Sequence, residues 1–599
     1  MSSVPEREEI PEHYTWDLES IFESDAAWEE AFEDVKRRLE DLESMADRVT
    51  DDGPSLLATL ELRDEIGREV DQVVAYARMR SHEDTRDQSY QALAARARAL
   101  ASEAQSAASF IEPAIQTADP ERVEAMIEAT DGLETYEHEL EDVLRLKPHT
   151  RSAEIEELLA DLGEVLGAPH DVYSMLTDAD MTYPTVERPD GEPVEITQSN
   201  FTRLLKHDDR DFRRAVHEAF YDELETVRNT VGSTLKNSVK ADVKLARARR
   251  YETAREAALD GPNVPVEVYD TLCETVRESL EPLHRHVRLK REALGVDELR
   301  MWDLYAPMTP SESPEVAYED AIEHVVASLA PLGEDYQTRV ESGLEARWVD
   351  VYENRGKRSG AYSGGTYDTH PFVLMNYQDD ITSMFTLAHE LGHSLHSELT
   401  AENQPYVYSD YDIFVAEVAS TVNEQLLTHH LLETVEDERF RRHLLDESLE
   451  RFRATLFRQT MFATYEAAIH RLEEDGEALT PDRLDERYRD LKAEFYAPAA
   501  LDDRIQREWM RIPHFYYNFY VYQYATGMSA AVALAQGLIE DGPDAREQYL
   551  TFLRSGSRDY PLELLEIAGV DMTGAAPIDR AIAVYEDYVD EMAALVTAD

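Results

Sequence analysis

Two histidines four residues apart, with a glutamate directly after the first, constrain this 599-residue chain more than any other feature: His389-Glu390-Leu391-Gly392-His393. Around them Ile381, Met384, Phe385, Ala388, Leu391 and Leu395 recur at helical spacing, which predicts a helix with one buried face. Positions i and i+4 of a helix point to the same side. Two neutral imidazole nitrogens can therefore hold one zinc ion, with Glu390 beside it as a base. The bland competitor is a pair of core histidines with a glutamate by chance. Asp379 and Asp380 stand before the run, where carboxylates cap free N–H groups and meet the positive end of the helix dipole. The helix is expected to end before Asn403-Gln404-Pro405. Gly392 inside it costs about 1 kcal/mol relative to alanine, which asks for a reason such as the close approach of a second backbone.

A catalytic zinc usually takes three protein ligands and keeps one position open. The longer pattern H-E-x-x-H-x-x-G-x-x-H is absent, because His396 and Leu399 occupy its last two fixed positions, and this argues against an all-histidine site. Residues 411–432 (YDIFVAEVASTVNEQLLTHHLL) read as a second helix, with Ser409 and Asp412 placed like a capping box. On it Glu417, Thr421 and Glu424 share a face. Spacing favours Glu417 as third ligand and Glu424 as an acid orienting a histidine, and leaves the reverse order open.

Upstream, residues 347–352 (RWVDVY) and 371–377 (PFVLMNY) look like short strands joined by a glycine-rich stretch. They offer either a strand edge that pairs with an extended peptide or an ordinary hairpin under the helix. Downstream, PHFYYNFYVYQYATG holds His514 and five tyrosines. Tyr520 and Tyr524 are four apart, hence on one face of an expected helix, and His514 sits just before them. Phenol and imidazole donors suit a developing oxyanion, although an aromatic stripe is more often core.

Together HELGH, FVAEVAST, GKRSGAYSGGTYDTHPFVLMNY and RIPHFYYNFYVYQYATG resemble oligoendopeptidase F, of the thimet oligopeptidase-like zinc peptidases. YTWDLESIF, KADVKLARARRYETAREAAL, VPVEVYDTL, DLYAP and FRQTMFATYE extend the resemblance over nearly the whole chain. It implies a mainly α, two-lobed fold with a small β-sheet beside the zinc helix and a deep channel that admits short peptides and excludes folded proteins. It also implies one zinc ion per chain on His389, His393 and Glu417, with Glu390 as general base. His514 and the tyrosines after it become transition-state stabilisers. Spacing there departs slightly from the thimet branch; Tyr520 and Tyr524 are favoured and Tyr517 is the runner-up. The expected activity is hydrolysis of internal bonds in short unfolded peptides. The alternatives are an exopeptidase of the dipeptidyl carboxypeptidase type and an inert scaffold with a vestigial metal site.

Charge bounds the rest. The chain carries 125 acidic and 59 basic residues, a net charge of −66. Small soluble domains typically carry about 2–8. Self-repulsion on this scale destabilises a compact state, and about 1 M salt, with a Debye length of roughly 3 Å, screens it. A salt-filled cytoplasm is therefore expected, and nucleic acid is strongly disfavoured as a partner. Nine of the basic residues are lysine and the rest arginine. The single cysteine, Cys273, offers no internal disulfide and reads as a small buried hydrophobe. The N-terminal MSSVPEREEI lacks a basic and an apolar region, and the longest nearly apolar stretch is too short to span a bilayer, so a cytoplasmic, membrane-free protein is expected. Scarce glycine and helical periodicity predict a mainly α class. Residues 24–130 suggest a helical hairpin or bundle, and residues 181–197 a β-hairpin around Arg188-Pro189-Asp190-Gly191. The expected division is an N-terminal helical lobe over residues 1–200 and a catalytic domain over 201–599. Oligomeric state, monomer or homodimer, is not readable.

Overall fold

The protein, described as a computed structural model over residues 4–309 and 314–597, is mainly helical with two small sheets. The elements used below are, in chain order, α1 (Asp25–Glu43), α2 (Gly53–Glu83), α3 (Gln88–Ala108), β1 (Thr185–Glu187), β2 (Pro193–Glu195), α4 (Arg228–Ala248), β3 (Val349–Tyr352), β4 (Tyr362–Gly364), β5 (Phe372–Tyr377), α5 (Ile381–Asn403), α6 (Ile413–Thr434), α7 (Arg458–Glu474) and α8 (Tyr522–Glu540). They fall into two compact units, each assembled from separate stretches of chain. The first comprises Met1–Lys147, Glu315–Leu431 and Leu534–Gly569; the second comprises Pro148–Pro314, Leu432–Ala533 and Val570–Asp599. Residue 200, where the sequence places the change of domain, lies inside the second unit.

In the first unit α1, α2 and α3 pack as a bundle. Their starts follow from local chemistry. Ser24 accepts the Ala27 N–H at 3.3 Å to open α1, and Asp52 accepts the Ser55 N–H at 2.8 Å to open α2, with Pro54 in its first turn. Trp28, Leu42, Leu60, Val73, Tyr76 and Leu100 are buried between them, and the Trp28 indole donates to the Val73 carbonyl at 2.8 Å. Each such side chain contributes about 1.5–3 kcal/mol by leaving water. Phe372 and Leu374 of β5 belong to the same core, so the sheet is anchored on the bundle.

That sheet has the order β3-β5-β4. Both strands read from the sequence are present, but they are not a hairpin. β3 and β5 run parallel, with Val349 opposite Val373, and the glycine-rich connection supplies β4 on the other edge, antiparallel, with Tyr362 opposite Leu374. A parallel pair needs a crossing connection, and β4 is part of that crossing. β5, central and almost wholly buried, and β4 both pack against α5, which sets the histidine-bearing helix on the sheet.

In the second unit, Thr185 to Glu187 pair antiparallel with Glu195 to Pro193 around the turn at Gly191 (φ 87°), the hairpin the sequence indicates. α4 packs on α7. Glu508, fully buried, accepts from Lys492 (2.5 Å), Tyr488 (2.8 Å) and Arg458 (2.9 Å), so its charge is paired as buried charges must be. Cys273 is half-buried rather than fully buried as expected, and its packed surroundings push the thiol up to about 12, which keeps it neutral at pH 7. Among the described residues no helix is long and apolar enough to cross a membrane.

Candidate metal and active site

Asp380, not Asp379, caps α5: its carboxylate accepts the Ser383 N–H at 2.8 Å. α5 runs to Asn403, slightly beyond the expected end, and carries His389 and His393 on one side. Their Nε2 atoms are 3.2 Å apart. Asp412 caps α6 through the Phe414 N–H at 2.7 Å, and Ser409 takes no part, so the expected capping box is replaced by one aspartate. α6 then delivers Glu417 and Glu424 to the histidines. Glu424 Oε1 accepts from His389 Nδ1 at 2.6 Å. In the neutral ring that bond keeps the proton on Nδ1 and turns the Nε2 lone pair outward, as a metal ligand requires. A Glu417 oxygen lies 3.4 Å from His389 Nε2 and 3.8 Å from His393 Nε2.

These three ligand atoms lie within 4.8 Å of one another. Tetrahedral zinc with bonds of about 2.0–2.1 Å has ligand atoms about 3.3–3.4 Å apart, so the observed 3.2, 3.4 and 3.8 Å fit the ion. Two imidazole lone pairs 3.2 Å apart also repel unless positive charge lies between them. Protonation points the same way. Burial opposes charge on His389, yet hydrogen bonds to Glu417 and Glu424 raise it to about 10, while burial and the charge of His389 hold His393 down at about 4. His389 in turn holds the Glu417 carboxylate below its ordinary range.

The reason for Gly392 is visible here. A Cβ at this position would stand 2.6 Å from the Ser420 Cα and 2.9 Å from the Ala419 carbonyl oxygen of α6. The Asn423 side chain adds a hydrogen bond to the Ala388 carbonyl at 3.2 Å. The two helices therefore touch backbone to backbone one residue before His393 and three after Glu417.

Glu390 is 7% exposed, and burial raises its carboxyl above the ordinary range, partly offset by the nearby His389 and by the backbone of Ser363. Ser363 sits on β4. Its hydroxyl is 2.9 Å from that of Ser394, which donates to the Glu390 carbonyl at 2.9 Å. Sequence reading missed this pair, because β4 is three residues long and hidden in a glycine-rich run with no usable alternation. Tyr362, Ser363, His389, Glu390, His393 and Glu417 share one cleft of about 390 Å³. His396 is not part of it: it is buried and stacks on Tyr411 at 3.8 Å, a core histidine.

His514 and the tyrosines form a second group, in the second unit. His514 lies in the short 3₁₀ turn Pro513–Tyr516, and the Tyr524 hydroxyl is 3.4 Å from its Nε2. The His514 ring lies 5.5 Å from that of Tyr517, 6.4 Å from Tyr520 and 5.9 Å from Tyr524. Tyr520 precedes α8, which begins at Tyr522, so Tyr520 and Tyr524 do not meet as neighbours on one helix face; they meet edge to face at 5.4 Å because the chain turns before the helix. Burial and the positive Arg458 keep the His514 imidazole below its ordinary value, so it is neutral at pH 7.

Comparison with known proteins gives one consistent answer. Residues 203–584 match the model of peptidase family M3, and residues 115–183 match that of oligopeptidase F. The chain is 42% identical to oligopeptidase PepF of Bacillus subtilis, over 99% of this chain and 89% of the relative. It is 41% identical to group B oligopeptidase PepB of Streptococcus agalactiae, over 98% of each. Its fold matches the crystal structure of oligoendopeptidase-F from Enterococcus faecium with a TM-score of 0.73 at 35% identity, over 96% of this chain and all of that one. The family acts on peptides and implies a divalent metal, for which the His-His-Glu group is the candidate holder. The chain belongs to peptidase family M3, among its oligoendopeptidase F members, and is a metallopeptidase.

Proposed function

We propose that this chain is a zinc-dependent endopeptidase that cuts internal bonds of short, unfolded oligopeptides in the cytoplasm, with one zinc ion held by His389, His393 and Glu417. The observation that carries the reading is the spacing of the three ligand atoms while Glu424 occupies the other nitrogen of His389. When bound, zinc supplies Lewis acidity, polarising a carbonyl and lowering the pKa of water from about 15.7 towards about 7.

Glu390 takes the proton of the attacking water and passes it to the departing amine. Its burial suits both tasks, since a raised carboxyl keeps more of the proton affinity needed to deliver it. The backbone of Ser363 lies beside that carboxylate, and β4, which among the described residues pairs with β5 alone, offers its other edge to an extended peptide. His514, with Tyr520 or Tyr524 and with Tyr517 as alternative, donates to the oxygen that turns negative. One such donor is typically worth about 3 kcal/mol.

Endopeptidase action is favoured over exopeptidase action by the relatives described as oligoendopeptidase F. A peptide blocked at both ends separates the two, since an exopeptidase needs a free terminus. The test of the mechanism is Glu390→Gln, which is expected to retain one zinc per chain and to lose at least ~100-fold in kcat with the general base gone. A variant with wild-type kcat contradicts the base assignment.

A further inference from the structure

The segment carrying His514 and the tyrosines turns through two consecutive left-handed residues that are not glycine, Asn518 (φ 44°) and Phe519 (φ 61°). Each such residue costs about 1–2 kcal/mol against its relaxed backbone and persists only where the surroundings hold it. Here a buried carboxyl holds the turn's backbone. The Phe519 N–H donates to Glu466 Oε1 at 2.8 Å, and Glu466, on α7, is fully buried. Its other oxygen, Oε2, is buried with no hydrogen-bond partner among the described residues. Among the described residues no arginine or lysine pairs with this carboxyl, in contrast to Glu508 and Glu450 of the same unit.

The Glu466 position is itself braced. His470, one turn on, has Nδ1 2.9 Å from the Glu466 carbonyl oxygen and Nε2 3.2 Å from an Asp242 oxygen of α4. Its ring packs on Phe519 at 4.4 Å, and the Tyr269 ring meets Phe519 at 5.8 Å. An apolar side chain would fill the same space without the cost of burying a carboxyl, so the acceptor needs a reason.

We propose that Glu466 is a positioning residue for peptide hydrolysis: its carboxyl ties down the Asn518-Phe519 turn and thereby fixes the hydroxyls of Tyr517 and Tyr520, which flank that turn. This rests on the reading of those tyrosines as hydrogen-bond donors to the reacting carbonyl. Burial raises the Glu466 carboxyl to about 7, so a neutral acceptor of the same shape can replace it.

The test uses the full-length, metal-loaded enzyme in molar KCl with an internally quenched peptide. Glu466→Gln keeps the acceptor, and its kcat should stay within about threefold of wild type. Glu466→Leu removes the acceptor, and kcat should fall ~30-fold or more with KM within about threefold and metal content unchanged, the pattern of a misplaced donor. In a Tyr517→Phe/Tyr520→Phe background the same leucine change should cost less than about threefold, because the hydroxyls it positions are gone. If Glu466→Leu does not fold, Glu466→Asp, one methylene too short, carries the same expectation. Unchanged kcat in the leucine or aspartate variant, or a loss fully additive to that of the tyrosine variant, overturns the proposal alone. A tyrosine double variant with wild-type kcat overturns the donor reading and this one with it.

Discussion

Gly392 of α5 and Ser420 of α6 are in backbone contact, so close that a Cβ on Gly392 would lie 2.6 Å from the Ser420 Cα. The contact sits between His393 on one helix and Glu417 on the other. The separation of these helices therefore sets the spacing of the His389-His393-Glu417 group, and the residue without a side chain is what allows it.

Gly392→Ala is expected to force the helices apart. Overpacking of this kind costs about 1–3 kcal/mol, read as a lower Tm. The larger effect should be on the cluster, where a shift of Glu417 away from the histidines lowers kcat/KM by ~10-fold or more and weakens the metal. Metal content after dialysis and peptide turnover measure both. An alanine variant with wild-type metal retention and turnover contradicts the coupling.

Glu417 and Glu424 should fail in different ways. Glu424→Gln loses the charge that orients His389 and should weaken metal binding ~10–100-fold, with activity restored by excess zinc. Glu417→Gln should lose more and recover less. Competition against a chromophoric chelator reads the two affinities, and the opposite ranking would exchange their roles.

Much of this site is legible in the chain because it is local. Spacing places the two histidines on one side of a helix, and the penalty for Gly392 points to a close backbone approach, which the contact with Ser420 supplies. What is not legible is non-local. No pattern in residues 347–352 and 371–377 distinguishes a parallel pair from a hairpin, since the pairing is decided by a connection that itself holds β4. Spacing alone leaves Glu417 and Glu424 exchangeable; the structure adds that Glu424 meets Nδ1 of His389 while Glu417 lies near the Nε2 atoms, which supports the proposed order. Tyr520 and Tyr524 share a face by counting, yet two left-handed residues delay the helix to Tyr522, and nothing in Asn518-Phe519 announces that turn.

Stability should carry the signature of Glu466. Its carboxyl is raised from 4.5 to about 7 by burial, against the pull of His470, with Asp242 beyond it. A raised carboxyl contributes stability that is complete below about 4.5 and is lost as pH rises through about 7. Glu466→Gln does not titrate, so its Tm should gain on wild type between about pH 5 and pH 8, by up to about 3 kcal/mol in linked free energy. A Tm difference independent of pH contradicts the assignment.

Salt should stabilise the whole chain. At a net charge of −66, self-repulsion is long-ranged in dilute buffer and is screened within roughly 3 Å at about 1 M salt. Tm should therefore rise steadily with KCl from about 0.1 M into the molar range. A flat or falling curve contradicts the reading of a protein suited to a salt-filled cell.

The most direct measurement is a crystal of the metal-loaded protein with diffraction recorded on both sides of the zinc absorption edge. One anomalous peak per chain is expected, within bonding distance of His389 Nε2, His393 Nε2 and a Glu417 oxygen, and vanishing below the edge. Crystals of an enzyme that hydrolyses peptides but shows no peak there, or shows it on other residues, would contradict the central claim.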